Sequence, residues 1–290
     1  MNLRLPRLLP ALLVLTLPLA AQTSVWKVTR GDAVLYLGGT CHVLRPTDFP
    51  LPPEFDQAFA ASAKVLFETD LARAQSPEMQ QVVRQHGLFA DGRTLKSVLS
   101  PEAWAAVEAH CAKSGLPVAQ VMPMKPWLFA LIITVGEMQK LGLSLEGVDA
   151  HYFKQARAAG KAVGELEAFD QHIKFIINLG AGHESEMIAK TLEDLADMPK
   201  LLDGILTSWK KGDLAAIEQT MLREMRDKYP AIYRPLIAER NQAWLPKLEA
   251  MLGTPEVEFV LAGVGHMAGP DGLIPLLRAR GCTVEQVTKP

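Results

Sequence analysis

A chain of 290 residues with 30 Lys and Arg set against 32 Asp and Glu has no strong charge bias. That excludes the basic footprint of a nucleic-acid binder. Hydrophobic residues make up 49% of it, enough for a sizeable core. Cysteine occurs three times, at Cys41, Cys111 and Cys282, which excludes a disulfide framework and leaves at most one pair.

The chain opens with Arg4 and Arg7, then an apolar run from Leu8 to Leu19, then Ala20-Ala21 before Gln22. This is the plan of a cleaved secretory leader over residues 1–21, and the run is too short for a membrane span. No Cys lies near the cleavage region, which argues against a lipoprotein. The remainder, 22–290, reads as one α/β domain in the periplasm or outside the cell, with no later apolar run long enough to span a membrane.

"SVWKVTR" and "AVLYLGG" are two β-runs joined by Gly31-Asp32, a hairpin signal. "PPEFDQAFAASA" starts a helix with Pro53 in its first turn. "KVLFE" is a short buried strand ending at Glu68. Strand, helix, strand in this order predicts a βαβ unit and a mostly parallel sheet.

Two helical insertions follow, at about 72–160 and 168–252. In the first, Ser100 is an N-cap, Pro101 holds the first helical position and Gly115 ends the helix. "PMKPWLFALIITVGEMQKLG" reads as a buried helix, and its Trp127–Val135 stretch as core or lid lining. "KAVGELE" is a brief strand ending in Glu165 and Glu167. "VEFVLAG" is the next strand, "DGLIPLLRARG" a helix with Asp271 at its start, and "CTVEQV" the last strand.

Gly-x-x-His occurs twice after a strand: Gly39 with His42 and Gly263 with His266. A third strand delivers Glu68 just past its end. Ligands of open parallel sheets bind outside the carboxyl ends of the strands, so these distant residues are predicted to share a cleft. Gly39 and Gly263 are expected to let the backbone turn sharply and come close to the site. Two imidazoles and one carboxylate leave coordination positions open, which suits catalytic Zn²⁺, Mn²⁺, Co²⁺ or Fe²⁺. Such an ion makes bound water acidic and polarises a carbonyl.

Glu165 and Glu167 each read as a fourth ligand, a general base or a partner to a histidine. Arg240 and Asn241 lie on a polar turn. Arg240 suits a substrate carboxylate or a developing oxyanion, or else a surface ion pair with Glu239 or Glu249. Cys41 reads as a small residue in a tight turn in preference to a metal ligand or nucleophile. His86, His110, His151, His172 and His183 lack the strand-end context and are not read as ligands. Neither a Gly-x-Ser-x-Gly turn, a dinucleotide fingerprint nor a Walker loop follows any strand.

Taken in order, "LYLGGTCH", "VLFETD", "GVDAHYFKQARAAGKAVGELE", "ERN" and "LAGVGHMAG...LLRARG" resemble the TraB/GumN family, which includes the TIKI-type metalloproteases. The resemblance covers essentially all of the chain after residue 21. It implies a fold similar to erythromycin esterases and ChaN-like haem binders. It also implies His42, Glu68 and His266 as metal-site residues. Its Leu-Glu marker favours Glu167 over Glu165, as the base, and its Arg-Asn pair singles out Arg240 and Asn241 as catalytic residues. The activity it implies is metal-dependent hydrolysis of a peptide or protein. The rival readings are a haem, iron or small-ligand binder of the same fold without turnover, and an accessory protein of envelope polymer export.

Overall fold

The computed structural model describes residues 22–74 and 76–288. The leader assigned to residues 1–21 lies outside the described residues. The fold is α/β, a six-stranded mixed, mostly parallel sheet with large helical insertions.

The strands are β1 (Gln22–Arg30), β2 (Ala33–Thr40), β3 (Lys64–Phe67), β4 (Ala162–Glu165), β5 (Glu258–Gly263) and β6 (Thr283–Thr288). Their spatial order is β4-β3-β5-β2-β1-β6. β4, β3, β5 and β2 run parallel, while β1 is antiparallel to both β2 and β6. The β1–β2 hairpin turns at Gly31-Asp32, where Gly31 takes φ +60°, a value that suits residues without a Cβ.

β5 sits between β3 and β2 and is buried along almost its whole length. Its side chains alternate between two cores, as a period of two dictates. Phe259 and Leu261 join Phe55, Tyr152 and Trp209 on one face. Val260 and Ala262 join Trp26, Leu37 and Trp244 on the other. Trp209 also donates its Nε1–H to the Gly39 carbonyl at 2.7 Å, tying the helix Met198–Lys211 to the end of β2.

The helical insertions bury a third cluster that includes Trp104, Phe129, Ile133 and Ile188. Ser100 caps the helix Pro101–Ser114 by accepting from the Ala103 amide, and Gly115 closes it at φ +75°. The helix Pro126–Lys140 is not buried throughout: Leu131 and Ile132 face outward while Trp127, Phe129 and Ile133 face the core. Its apolar run is wider than the one face that packs. The last helix, Leu273–Ala279, begins after Gly272, and Asp271 does not cap it. The Asp271 carboxylate instead accepts the Tyr233 hydroxyl at 2.9 Å. Among the described residues no helix is long and apolar enough to cross a membrane.

Candidate functional site

The four parallel strands end at one edge, and each delivers one side chain there. In spatial order these are Glu167 two residues past β4, Glu68 past β3, His266 past β5 and His42 past β2. The two Gly-x-x-His turns leave neighbouring strands, with Gly263 paired to Thr40 in the β2–β5 register. The Glu167 amide donates to the Glu68 carbonyl at 2.9 Å, so pairing persists past β3 and β4 and sets the two carboxylates side by side.

Gly39 and Gly263 act by close approach, and neither makes a positive-φ turn. A Cβ at Gly39 would lie 2.8 Å from a Val264 methyl carbon, so the glycine lets β2 pack against the turn after β5. A Cβ at Gly263 would lie 3.2 Å from both His42 Nε2 and Glu68 Oε1, and 3.7 Å from His266 Cδ2. The missing side chain therefore marks the point on which the three residues converge.

Each histidine is fixed through Nδ1. His42 Nδ1 lies 2.8 Å from Asp149 Oδ2, and Thr40 donates to Asp149 Oδ1 at 3.0 Å. His266 Nδ1 lies 2.7 Å from Asn241 Oδ1, and the Asn241 amide donates to the carbonyls of His266 and Asp271. Acceptors at Nδ1 set the tautomer and turn both Nε2 atoms toward the cleft. Trp244 packs on His266 with ring centroids 4.6 Å apart.

His42 Nε2 is 3.7 Å from Glu68 Oε1, and His266 Nε2 is 4.0 Å from the same oxygen. The edge of a tetrahedron built on bonds of about 2.1 Å is about 3.4 Å. The donor types are those that take a divalent ion, and the two separations exceed that edge by about 0.3 and 0.6 Å. As they stand, no group of three or more His, Cys, Asp or Glu among the described residues has closed into metal-binding geometry.

Arg240 lies behind these donors and is buried, not on the surface. Its Nη2 donates to Glu68 Oε2 at 2.6 Å and to Glu167 Oε1 at 2.7 Å, and its Nε donates to Glu167 Oε2 at 3.2 Å. Nη1 reaches His266 Nε2 at 3.1 Å. Its guanidinium carbon stands 4.6 Å from the Trp244 ring centre and 5.0 Å from that of Phe175. The surface residues Glu239 and Glu249 pair instead with Arg234 and with Arg30 and Arg280.

The role of base does not suit Glu167 here. Its two oxygens accept from His172 Nδ1 at 2.5 Å, from Arg240 twice and from Trp244 Nε1 at 3.2 Å. Burial pushes its pKa up, but the His172 and Arg240 hydrogen bonds and charges outweigh that and hold it below the usual range. It anchors Arg240. Glu165 is exposed on β4. Asn241, fully buried, positions His266. All three cysteines are free and buried, and burial with the Asp149 charge pushes the Cys41 thiol far up, which opposes nucleophilic use.

A family model for TraB/PrgY/gumN proteins matches residues 24–286. The chain belongs to the TraB/PrgY/gumN family. No curated protein and no solved structure matches it.

Within this TraB/PrgY/gumN fold the two histidines are tuned in opposite directions. The Asp149 carboxylate raises His42 to about 9, although 60% of the His42 side chain is accessible and solvent screens part of that effect. Burial lowers His266 to about 4, and the Arg240 and His42 charges add to this against the pull of Glu68. The stabilising share of His42 is complete below its unfolded pKa of about 6.5 and is lost as pH rises through about 9. The share of His266 is complete above about 6.5 and is lost as pH falls through about 4. The metal-free, chelated protein is therefore expected to be most stable between these limits. On the acid side His266 alone should remove about 2–3 kcal/mol between pH 7 and 4.5. Urea titrations at both pH values check this, and equal midpoints would contradict it.

Asp149 and His172 were not among the residues singled out from sequence. Asp149 lies in the "GVD" marker, but its reach to His42 depends on Gly147. A Cβ at Gly147 would overlap the backbone of Cys41 and His42. The pairing of His172 with Glu167 spans five residues and has no signal beyond that short spacing.

Proposed function

We propose that this protein is a metal-dependent hydrolase that cleaves amide bonds in peptides or proteins outside the cytoplasm. The observation that carries the reading is the convergence of His42, Glu68 and His266 over Gly263, with both imidazoles locked through Nδ1. His42 Nε2, Glu68 Oε1 and His266 Nε2 would hold a divalent ion. When bound, such an ion supplies an acidified water and a Lewis acid toward a carbonyl oxygen.

The remaining work falls to the chain. Asp149 and Asn241 keep the two imidazoles oriented. The Gly263 amide donates to Glu68 Oε1 at 2.7 Å and fixes the direction of that carboxylate. Four of the five Arg240 N–H groups go to Glu167, Glu68 and His266, which leaves one Nη1 hydrogen for a substrate oxygen. The accessible face of His42 is the side from which substrate enters.

The test is metal analysis after chelation and reloading with Zn²⁺, Mn²⁺, Co²⁺ or Fe²⁺, followed by an unbiased peptide-cleavage screen. About one bound ion per chain with metal-dependent cleavage is expected. Protein that takes up none of these ions removes the reading. Asp149→Asn is expected to weaken metal binding by about 10–100-fold, the usual cost of losing the carboxylate behind a ligating imidazole. A chelator-competition titration measures this, and unchanged affinity would leave Asp149 with no orienting role.

A further inference from the structure

We infer that Arg240 is a cationic placeholder which occupies the His266 lone pair until an ion displaces it, and so sets how weakly and how reversibly the site binds metal. The inference rests on the metal reading above. Its basis is a conflict in the hydrogen bonding. His266 Nδ1 is given to Asn241, so the only lone pair left on that imidazole is at Nε2. That lone pair already accepts from Arg240 Nη1 at 3.1 Å. An ion and an N–H cannot share it.

The same guanidinium holds Glu68 through Oε2 at 2.6 Å, so one cation engages two of the three proposed donors. It cannot drift away, because Glu167 grips it through both oxygens and Trp244 and Phe175 flank it. Glu167 is held in turn by His172 and Trp244. Arg240 is therefore pinned at its far edge and in contact with the donors at its near edge. Ion entry requires the loss of the Nη1 contact, a small rotation within the grip of Glu167. The guanidinium remains close to the ion afterwards, and like charges at that range in a buried site oppose binding.

A residue that merely supports the site and a placeholder predict opposite signs. Loss of a support weakens binding, whereas loss of a placeholder strengthens it. The experiment measures Zn²⁺ and Co²⁺ dissociation constants for the full chain by calorimetry and by chelator competition. Wild type is compared with Arg240→Met, and with Arg240→Met combined with Glu167→Gln, which removes one of the two carboxylate charges that the single change leaves without their guanidinium. Melting without metal reports whether each variant folds, and the double variant carries the test if the single one does not. Both ions are expected to bind the folded variant at least about tenfold more tightly than wild type, with a larger metal-induced rise in melting temperature. Wild type that binds metal beside a folded variant that binds equally or more weakly overturns the placeholder role and leaves the metal site standing. No binding by either protein overturns both.

Discussion

Arg240→Ala is expected to lower the stability of the metal-free protein by about 3–5 kcal/mol, the cost of taking one partner out of a buried ion cluster. Glu68 and Glu167 are both almost fully buried, and one guanidinium pairs with both. Without it Glu68 keeps the Gly263 amide, and Glu167 keeps His172 and Trp244. Those donors orient the two carboxylates but do not replace the guanidinium that lies between them. Arg240→Lys should recover only a small part, because a single ammonium cannot present the three N–H directions that now reach the two carboxylates. Chemical denaturation at pH 7 gives the number. A loss below about 1 kcal/mol, the range of exposed ion pairs, would mean that water already solvates the cluster.

The cluster also shows where reading the sequence succeeds and where it stops. The strands β2, β3 and β5 were legible because each is a short apolar run with Gly or an acidic residue at its end, as in "VLYLGG" and "FVLAG". The bringing together of His42, Glu68 and His266 was legible for the same reason, since parallel strands deliver their carboxyl ends to one edge. The order of the strands was not. Nothing in "KVLF" or "EFVLAG" says that β5 inserts between β2 and β3, yet that insertion puts His266 between the other two residues.

Side-chain roles were less legible than positions. Glu167 and Arg240 fall at the site, but nothing in their sequence neighbours says that the two pair with each other. Only the fold brings Arg240 onto Glu167 from 73 residues away and buries the pair under Trp244. The Trp127–Val135 stretch errs in the opposite sense. Its composition suggests full burial, but a helix turns Leu131 and Ile132 away from the core. Asp149 shows the limit most plainly. A carboxylate in the first turn of a helix has an ordinary local explanation in the helix dipole. Its contact with His42 exists because Gly147 lets two backbone segments touch.

His42→Ala and His266→Ala are each expected to lose most of the metal and most of the activity, and the double variant to be little worse than either. If both imidazoles hold one ion, removing the first leaves too few ligands, and removing the second then takes away a donor that no longer works. Residues that act as a unit are non-additive in this way. The two positions nevertheless differ in ways that separate ligation from folding. His42 is 60% accessible, so its loss opens no core cavity. His266 is buried against Trp244, and its loss also unseats Asn241 and leaves Arg240 Nη1 without its acceptor. His266→Ala should therefore melt lower than His42→Ala while matching it in lost metal and lost turnover. Metal content, melting temperature and kcat/KM, measured on the two single variants and the double variant, decide the matter. If the losses in activity multiply, the histidines act independently and a shared ion does not link them. If both single variants keep their metal, the convergence over Gly263 is structural.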